Sequence, residues 1–300
     1  MKRILVIRLG ALGDFVLSFA PFAAIRAHHP EAEITLLTTA PFAALGRAAP
    51  WFDHVAVDAR PGWWNLPGLA RLIRQLRGFD FVYDLQTSGR SSHYFRLAGR
   101  PPWSGIARGC SHPHDNPLRP FMHTLERQRE QLEMAGLTHF PAPDLAWLDG
   151  AAPALPARYA LLVPGAAAHR PAKRWPAERY GALAAILAAR GVTPVVVGSA
   201  AEAGLAAPIL AACRGAIDLT GRTAIADIFA IAARAVLCVG NDTGPMHLAA
   251  ASGAPCVVLF SGASDPALTA PRGPGGAWPR LLREADLADL SVERVAEALA

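Results

Sequence analysis

The sequence predicts an α/β protein of two successive domains, each a doubly wound parallel sheet, facing a cleft that is the expected active site. Three observations carry this. Short, continuously apolar runs alternate with helix-period stretches along the chain, as in strands buried on both faces by crossover helices. The alternation pauses once, at the Pro- and Ala-rich stretch 141–158, and then restarts. At 300 residues the chain is at the upper limit for one core, so the expected domains are 1–150 and 151–300.

In the first half, RILVIR (3–8) reads as a strand and 13–29 as a helix ended by Pro30. EITLLT (33–38) is a strand and 41–49 a short helix. HVAVD (54–58) is a strand, 65–78 a helix and FDFVYDLQ (79–86) a strand. In the second half, YALLVPG (159–165) is a strand. It is followed by an amphipathic helix, 175–191, closed by Gly191 at a favourable C-terminal position. Strand–helix units repeat at 192–199 with 201–215, at 216–221 with 224–235, and at 235–242 with 243–253. PCVVLF (255–260) reads as the last strand and 291–300 as a closing helix.

Composition narrows the function. Hydrophobic residues make up 52% and charged residues 18%, which supplies a core and argues against disorder. The net charge of +5 and pI of about 9.4 read either as the ordinary balance of an arginine-using soluble protein or as suited to an anionic ligand or surface. No run of basic residues and no nucleic-acid motif is present, so nucleic acid is not an expected partner. Cys110, Cys213, Cys238 and Cys256 form no CxxC pair and read as buried free thiols of a reducing compartment, with no zinc spacing. Arg8 and Asp14 interrupt the N-terminal apolar stretch, which argues against a signal peptide. No run of about 18 apolar residues occurs, so membrane contact would be peripheral.

Four constellations could carry chemistry. In RLGALGD (8–14), Gly10 and Gly13 allow a tight turn after the first strand, and Asp14 stands at the following helix. Asp14 reads as a helix cap or as a general base, and the two are compatible. The spacing is not GxGxxG, and an acid at that turn would repel a pyrophosphate. In 161–180, the strand ends at Pro164-Gly165, and a loop carries His169, Arg170, Lys173 and Arg174. This is either a solvated basic loop or a grip on a diphosphate.

In VGNDTGPMH (239–247), Asp242 or Thr243 is expected to cap a helix. The amides of that helix's first turn, with its dipole, suit a phosphate. His247 lies one turn after Thr243 and should lean back toward the same spot. The bland reading is a capped helix with a packed histidine. In 86–123, five Arg and four His meet one acid, Asp115, with Tyr94, Phe95 and Trp103 interleaved. This reads as a solvated loop or as a surface for a phosphorylated or carboxylated acceptor, with Arg90, Arg96, Arg108, His112 and Arg119 as candidates.

At these residues the chain resembles the glycosyltransferase family 9 heptosyltransferases of lipopolysaccharide inner-core assembly. Four segments carry the resemblance: RILVIRLGALGD, PGAAAHRPAKRWP, LTGRT (219–223) and GNDTGPMHLAAASGAPCVVLF. It implies a GT-B architecture of two Rossmann-like domains. The C-terminal domain would bind ADP-heptose, and the N-terminal one a phosphorylated or Kdo-bearing lipid A acceptor. Transfer would invert the anomeric centre. By the same resemblance Asp14 is the base, Lys173 binds phosphate, and Asp242, Thr243, Gly244 and His247 form the donor motif. Glu202 matches an acid that contacts the adenosine ribose. Where members carry an acid or hydroxyls after the Pro-Gly, this chain has Ala166, Ala167 and Ala168. The implied location is the cytoplasm, at the inner face of the cytoplasmic membrane.

The scheme needs no cofactor, with Mg2+ at most a stimulant, and no DxD pair stands ready for a metal. Oligomeric state is not legible. Other classes are weighed beside it. A nicotinamide oxidoreductase needs GxGxxG with an acid about 20 residues on, which neither half shows. Transfer from another nucleotide sugar to a different glycan, or a GT-B epimerase or hydrolase acting without a lipid acceptor, would use the same fold. A non-catalytic binding protein would not need Asp14.

Overall fold

Apolar runs become parallel strands in both halves of the chain. The computed structural model describes residues 1–148 and 150–299, arranged as two units, Met1–Trp147 and Leu148–Ala300. Asp149, in the Pro-rich join, and Ala300, at the end of the expected closing helix, lie outside the described residues.

The first unit holds β1 (Arg3–Ile7), β2 (Glu33–Thr38), β3 (His54–Val57), β4 (Phe81–Asp84), β5 (Trp103–Gly105) and β6 (His112–Pro113). Its helices are α1 (Leu12–Val16), α2 (Phe19–His28), α3 (Ala40–Ala48), α4 (Leu66–Leu76), α5 (Gly89–Leu97) and α6 (Thr124–Met134). The second unit holds β7 (Tyr159–Val163), β8 (Thr193–Val196), β9 (Ile217–Asp218), β10 (Leu237–Asn241), β11 (Cys256–Phe260) and β12 (Arg280–Arg283). Its helices are α7 (Ala177–Ala189), α8 (Ala203–Ala212), α9 (Ile225–Arg234), α10 (Gly244–Ala251), α11 (Pro266–Thr269) and α12 (Val292–Glu297).

The sheets run β3-β2-β1-β4-β5-β6 and β12-β11-β10-β7-β8-β9. All pairs are parallel, with Ile7 beside Leu37 and Asp84, and Gly240 beside Val163 and Val258. Both sheets start at a central strand, wind to one edge and return to the other side. The reversal falls at β1/β4 in one and at β7/β10 in the other.

Burial on both faces explains the unbroken apolar runs. In β7, Leu162 joins Trp175, Tyr180 and Leu183 on one face, while Leu161 and Val163 join Ile231, Met246 and Phe260 on the other. In the first unit, Leu5 and Ile7 pack with Leu72, Leu76, Tyr94 and Trp103. Elsewhere in that unit Phe15, Phe19, Phe22 and Trp51 form an aromatic group of edge-to-face and tilted pairs that Trp147 joins. All four cysteines are buried and free. Among the described residues no helix is long and apolar enough to cross a membrane.

Three expectations are corrected. The helix read over 13–29 is two, α1 and α2, broken at Leu17-Ser18. There the Ser18 hydroxyl donates to the Asp14 carbonyl (2.8 Å) and the Ser18 amide to Phe15 (3.1 Å), which competes with the helical ladder. The stretch 86–123, read as a charged loop, contains α5, β5 and β6; Ser88 starts α5 by accepting from the Ser91 amide (3.2 Å). The strand at 255–260 is not the last: β12 adds an edge strand whose alternation, Arg-Leu-Leu-Arg, is too short to read.

Candidate active site

In doubly wound sheets ligands gather outside the carboxyl ends of the strands, at the point where strand order reverses. The first unit puts Asp14 and Asp84 there. Gly10, at φ +116°, turns the chain after β1, and a Cβ at this position would run into the Phe42 ring. Asp14 is the third residue of α1, and Ala11 occupies the cap position. One Asp14 carboxylate oxygen accepts the Ala11 N–H (3.3 Å), and the other lies 3.3 Å from the Arg8 guanidinium. The carboxylate is 39% exposed, whereas Arg8 is 4% exposed, pinned by donation to the carbonyls of Leu85 (2.6 Å) and Asp14 (3.2 Å).

Asp84 ends β4 in full burial, accepting from the Thr87 amide (3.0 Å). Burial pushes its carboxyl up to about 6, against the opposing pull of hydrogen bonds from Thr87, Ser91 and Gln86 and the charge of Arg8. Burial also lowers the Arg8 guanidinium, with Asp14 and Asp84 opposing. Arg119 and Arg127 close the group. Burial and the neighbouring Arg127 pull Arg119 down to about 10; burial lowers Arg127 while Asp14 opposes. Arg119 donates through Nε to His114 Nδ1 (3.1 Å), and His114 Nε2 meets Glu130 (3.1 Å), which makes the buried His114 the Nε2–H tautomer. Burial lowers His114 accordingly. Arg8 thus pairs with Asp14, while Arg119 and Arg127 add positive charge that is felt at this end of the sheet.

Of the residues expected to meet an acceptor, only Arg119 joins this group. Arg90 and Arg96 are exposed on α5, Arg90 reaching the Tyr94 hydroxyl (3.4 Å). Arg108 is exposed after β5, and His112 packs its ring on Phe81 (5.0 Å) at the sheet edge. Arg8, Asp84 and Arg127 were missed. The signal for Asp84 was present: FVYD ends an apolar strand on an acid, as 235–242 does.

Asp84 gives a pH prediction. Its native carboxyl, near 6, holds a proton that an unfolded chain releases near 3.8, so its contribution to stability falls as pH rises from about 4 to about 6. His114 and His29, both lowered, act in the opposite sense over an overlapping range. Subtraction isolates the effect: relative to wild type, Asp84→Asn should gain about 2 kcal/mol from pH 4 to pH 6.5 in urea unfolding. A constant difference over that range refutes the assignment.

In the second unit, Asn241 organises the strand ends. It is fully buried, and its oxygen accepts from the Trp175 amide (3.0 Å) and the Tyr180 hydroxyl (3.1 Å). Its amide nitrogen donates to the carbonyls of Pro164 (2.8 Å) and Gly165 (3.1 Å). Asn241 thereby ties β10 to the turn after β7 and to the end of the basic loop.

Asp242 follows, its amide bonded to the Leu259 carbonyl (3.0 Å) and its carboxylate ion-paired with Lys173. Lys173 is 11% exposed and Asp242 5%. Neither Asp242 nor Thr243 caps α10 through its side chain; Thr243 holds the cap position with extended backbone. Pro245 has no N–H, and the Met246 N–H is committed to the Thr243 carbonyl (3.0 Å), so the turn can offer an anion only the amides of 243 and 244. His247 is buried in α10.

Beside this turn opens a cavity of about 360 Å³, walled by Gly165, Ala166, Ala167, Ala168, Arg174, Gly198, Glu202, Thr223, Thr243 and Pro245, with Val and Ile side chains. Lys173, Asp242, Gly244 and His247 lie outside its walls. Glu202 accepts from the Ser199 amide and hydroxyl (both 2.8 Å) and lies against Gly165, where a Cβ would strike its carboxylate. Arg174 braces the loop on the Ala166 carbonyl (2.7 Å), while His169 and Arg170 are exposed. A second cavity, about 430 Å³, sits by Pro255, Trp278 and Arg280 at the amino ends of the strands, away from the reversal point. Among the described residues no three His, Cys, Asp or Glu side chains are grouped to hold a metal ion.

The sequence pattern of "Glycosyltransferase family 9 (heptosyltransferase)" matches residues 69–277. Lipopolysaccharide heptosyltransferase 2 of Escherichia coli K12 is 38% identical over 109 residues, spanning 34% of this chain and 30% of that protein. Lipooligosaccharide heptosyltransferase 2 of Haemophilus ducreyi is 26% identical over 312 residues, spanning 90% of this chain and 86% of that one. The fold matches that of E. coli heptosyltransferase WaaC with ADP, at a TM-score of 0.80, 21% identity and 100% of each chain.

Proposed function

The chain belongs to glycosyltransferase family 9, and from that premise we propose that it is an inverting glycosyltransferase moving a heptose from ADP-heptose to a lipopolysaccharide core or lipid A-type acceptor. The observation that carries the reading is the Lys173–Asp242 ion pair, whose chain neighbours Arg174 and Thr243 line the second unit's cavity. The cavity, mostly apolar with Glu202 and Thr223 in its wall, suits a nucleoside; a ribose hydroxyl can donate to Glu202. Lys173 and the amides of 243 and 244 take the diphosphate, and Asp242 accepts from the donor sugar's hydroxyls. His247, buried on α10, completes the donor motif.

The acceptor belongs to the first unit. Arg8, Arg119 and Arg127 outnumber Asp14 and Asp84 and leave a surplus positive charge, which suits a phosphorylated or Kdo-bearing glycolipid. Arg90, Arg96, Arg108 and His112 remain candidates for more distant contacts. Asp14 accepts the proton of the acceptor hydroxyl as its oxygen bonds to the anomeric carbon from the face opposite the phosphate. The carbon–oxygen bond to the β-phosphate breaks, ADP departs, and Lys173 meets the charge it gains. The reaction is placed at the inner face of the cytoplasmic membrane.

The test is incubation with ADP-heptose and Kdo-lipid A, with the product read by mass. A gain of one heptose is expected, with ADP binding preferred over UDP, GDP and NAD. Preference for UDP or GDP would sink the donor; ADP-heptose turnover without transfer to any lipid would sink the acceptor.

A further inference from the structure

The turn from β3 into α4 exposes three large apolar residues nearly in a row: Trp63 at 59%, Trp64 at 86% and Leu66 at 69%. The turn is built rather than slack. Asp58, buried at its start, accepts from the Arg60 amide (2.7 Å) and the Tyr94 hydroxyl (2.6 Å). The Asn65 amide bonds the Gly62 carbonyl (2.9 Å), and the Asn65 side chain caps α4 on the Gly68 amide (3.0 Å). Trp63 rests edge-on against His93 of α5 (6.0 Å). Two indoles are therefore held outward by a hydrogen-bonded frame that gives them no core to enter.

Between Asp58 and Asp80, and between Asp84 and Asp115, the two segments beside the indoles carry only basic charge. Residues 59–79 hold Arg60, Arg71, Arg74 and Arg77 and no Asp or Glu; residues 85–114 hold Arg90, Arg96, Arg100 and Arg108 and again no acid. α4 buries Leu72 and Leu76 and leaves Arg71 and Arg74 exposed. It packs beside α5, where Arg77 donates to the Leu97 carbonyl (3.2 Å). Exposed tryptophans beside segments that carry only basic charge are the chemistry of an anionic membrane interface. The rings settle at headgroup depth and the arginines meet lipid phosphates.

We propose that the Trp63–Leu66 turn, with the arginines of α4 and α5, docks the protein on an anionic lipid bilayer. The choice of a bilayer over another apolar partner rests on the glycolipid-acceptor reading above, because such an acceptor has to be met at a membrane surface.

The test uses the full chain and vesicles free of any glycolipid, either phosphatidylcholine alone or phosphatidylcholine with an equal part of phosphatidylglycerol. Wild type should sediment with the anionic vesicles and not the neutral ones, with a blue shift in tryptophan emission that weakens as salt is raised. The triple variant Trp63→Ser, Trp64→Ser, Leu66→Ser should lose about ten-fold or more in partitioning and most of the blue shift. Arg71→Glu with Arg74→Glu should lose binding most at low salt. Both variants should keep the circular dichroism and the melting temperature of wild type, which shows that the first unit, where they lie, is folded. Wild type that ignores anionic vesicles, or a triple variant that binds them equally well, overturns the docking surface. If that wild type still transfers heptose, the functional reading stands without it; vesicle binding without transfer gives the opposite division.

Discussion

Asp14→Asn is expected to lower the rate of transfer by about 10²–10⁴-fold, while ADP binds within about two-fold of wild type. The substitution keeps the size and planarity of the side chain and one oxygen for the Ala11 amide, which now receives a 3.3 Å bond. It removes the only function the mechanism asks of the group, which is to accept a proton as the hydroxyl attacks. The 39% exposed carboxylate is open to a substrate, and its Arg8 partner is almost wholly covered. Arg8 keeps the Leu85 and Asp14 carbonyls and the nearby charge of Asp84, so the first unit should stay folded. Melting and ADP binding recorded with the rate separate lost chemistry from lost structure. Turnover above a tenth of wild type would remove Asp14 from the role of base.

The strands that were plain in the sequence are the central ones. β1, β7, β10 and β11 are buried on both faces, so apart from Arg3 and Asn241 at their ends their runs carry no charged or amide side chain. The edge strands β3 and β9 were also read, but β5, β6 and β12 were not, for a physical reason. β5 and β6 have three and two residues, and they are held by pairing with Val82 and Tyr83 of β4 and with Ser104 and Gly105 of β5 respectively, a term with no local periodicity. The site divides in the same way. Asp14, Lys173 and Asp242 could each be picked out by residue type at a strand end or basic loop. Their partners could not: Arg8 reaches a carbonyl 77 positions away, and Lys173 meets an acid 69 positions away. Crossover topology makes those neighbours, and the strand order has to be known first. Asn241 shows the limit most clearly, since nothing in Gly-Asn-Asp reveals that one amide will serve four partners from two other segments.

The second large effect is expected at Lys173 and Asp242, and its asymmetry is the test. Both side chains are nearly covered, and removing one member of a buried pair leaves the other as an uncompensated charge. Lys173→Met leaves the Asp242 carboxylate, 5% exposed on a side chain with a single methylene, without its counter-charge. A loss of about 3 kcal/mol in urea unfolding is expected, together with about ten-fold or more weaker binding of both ADP and ADP-heptose. Asp242→Asn strands the lysine instead, on a flexible stem that can turn its ammonium to solvent or to a ligand. The stability loss should be smaller. Free of its competitor, Lys173 should hold bare ADP as well as before or more tightly, while ADP-heptose loses the acceptor for its sugar hydroxyls. The two nucleotides should therefore move apart in Asp242→Asn and together in Lys173→Met, as measured by calorimetry. Equal losses for ADP in both variants would mean that the pair serves the fold of the second unit alone, and that the diphosphate is held elsewhere.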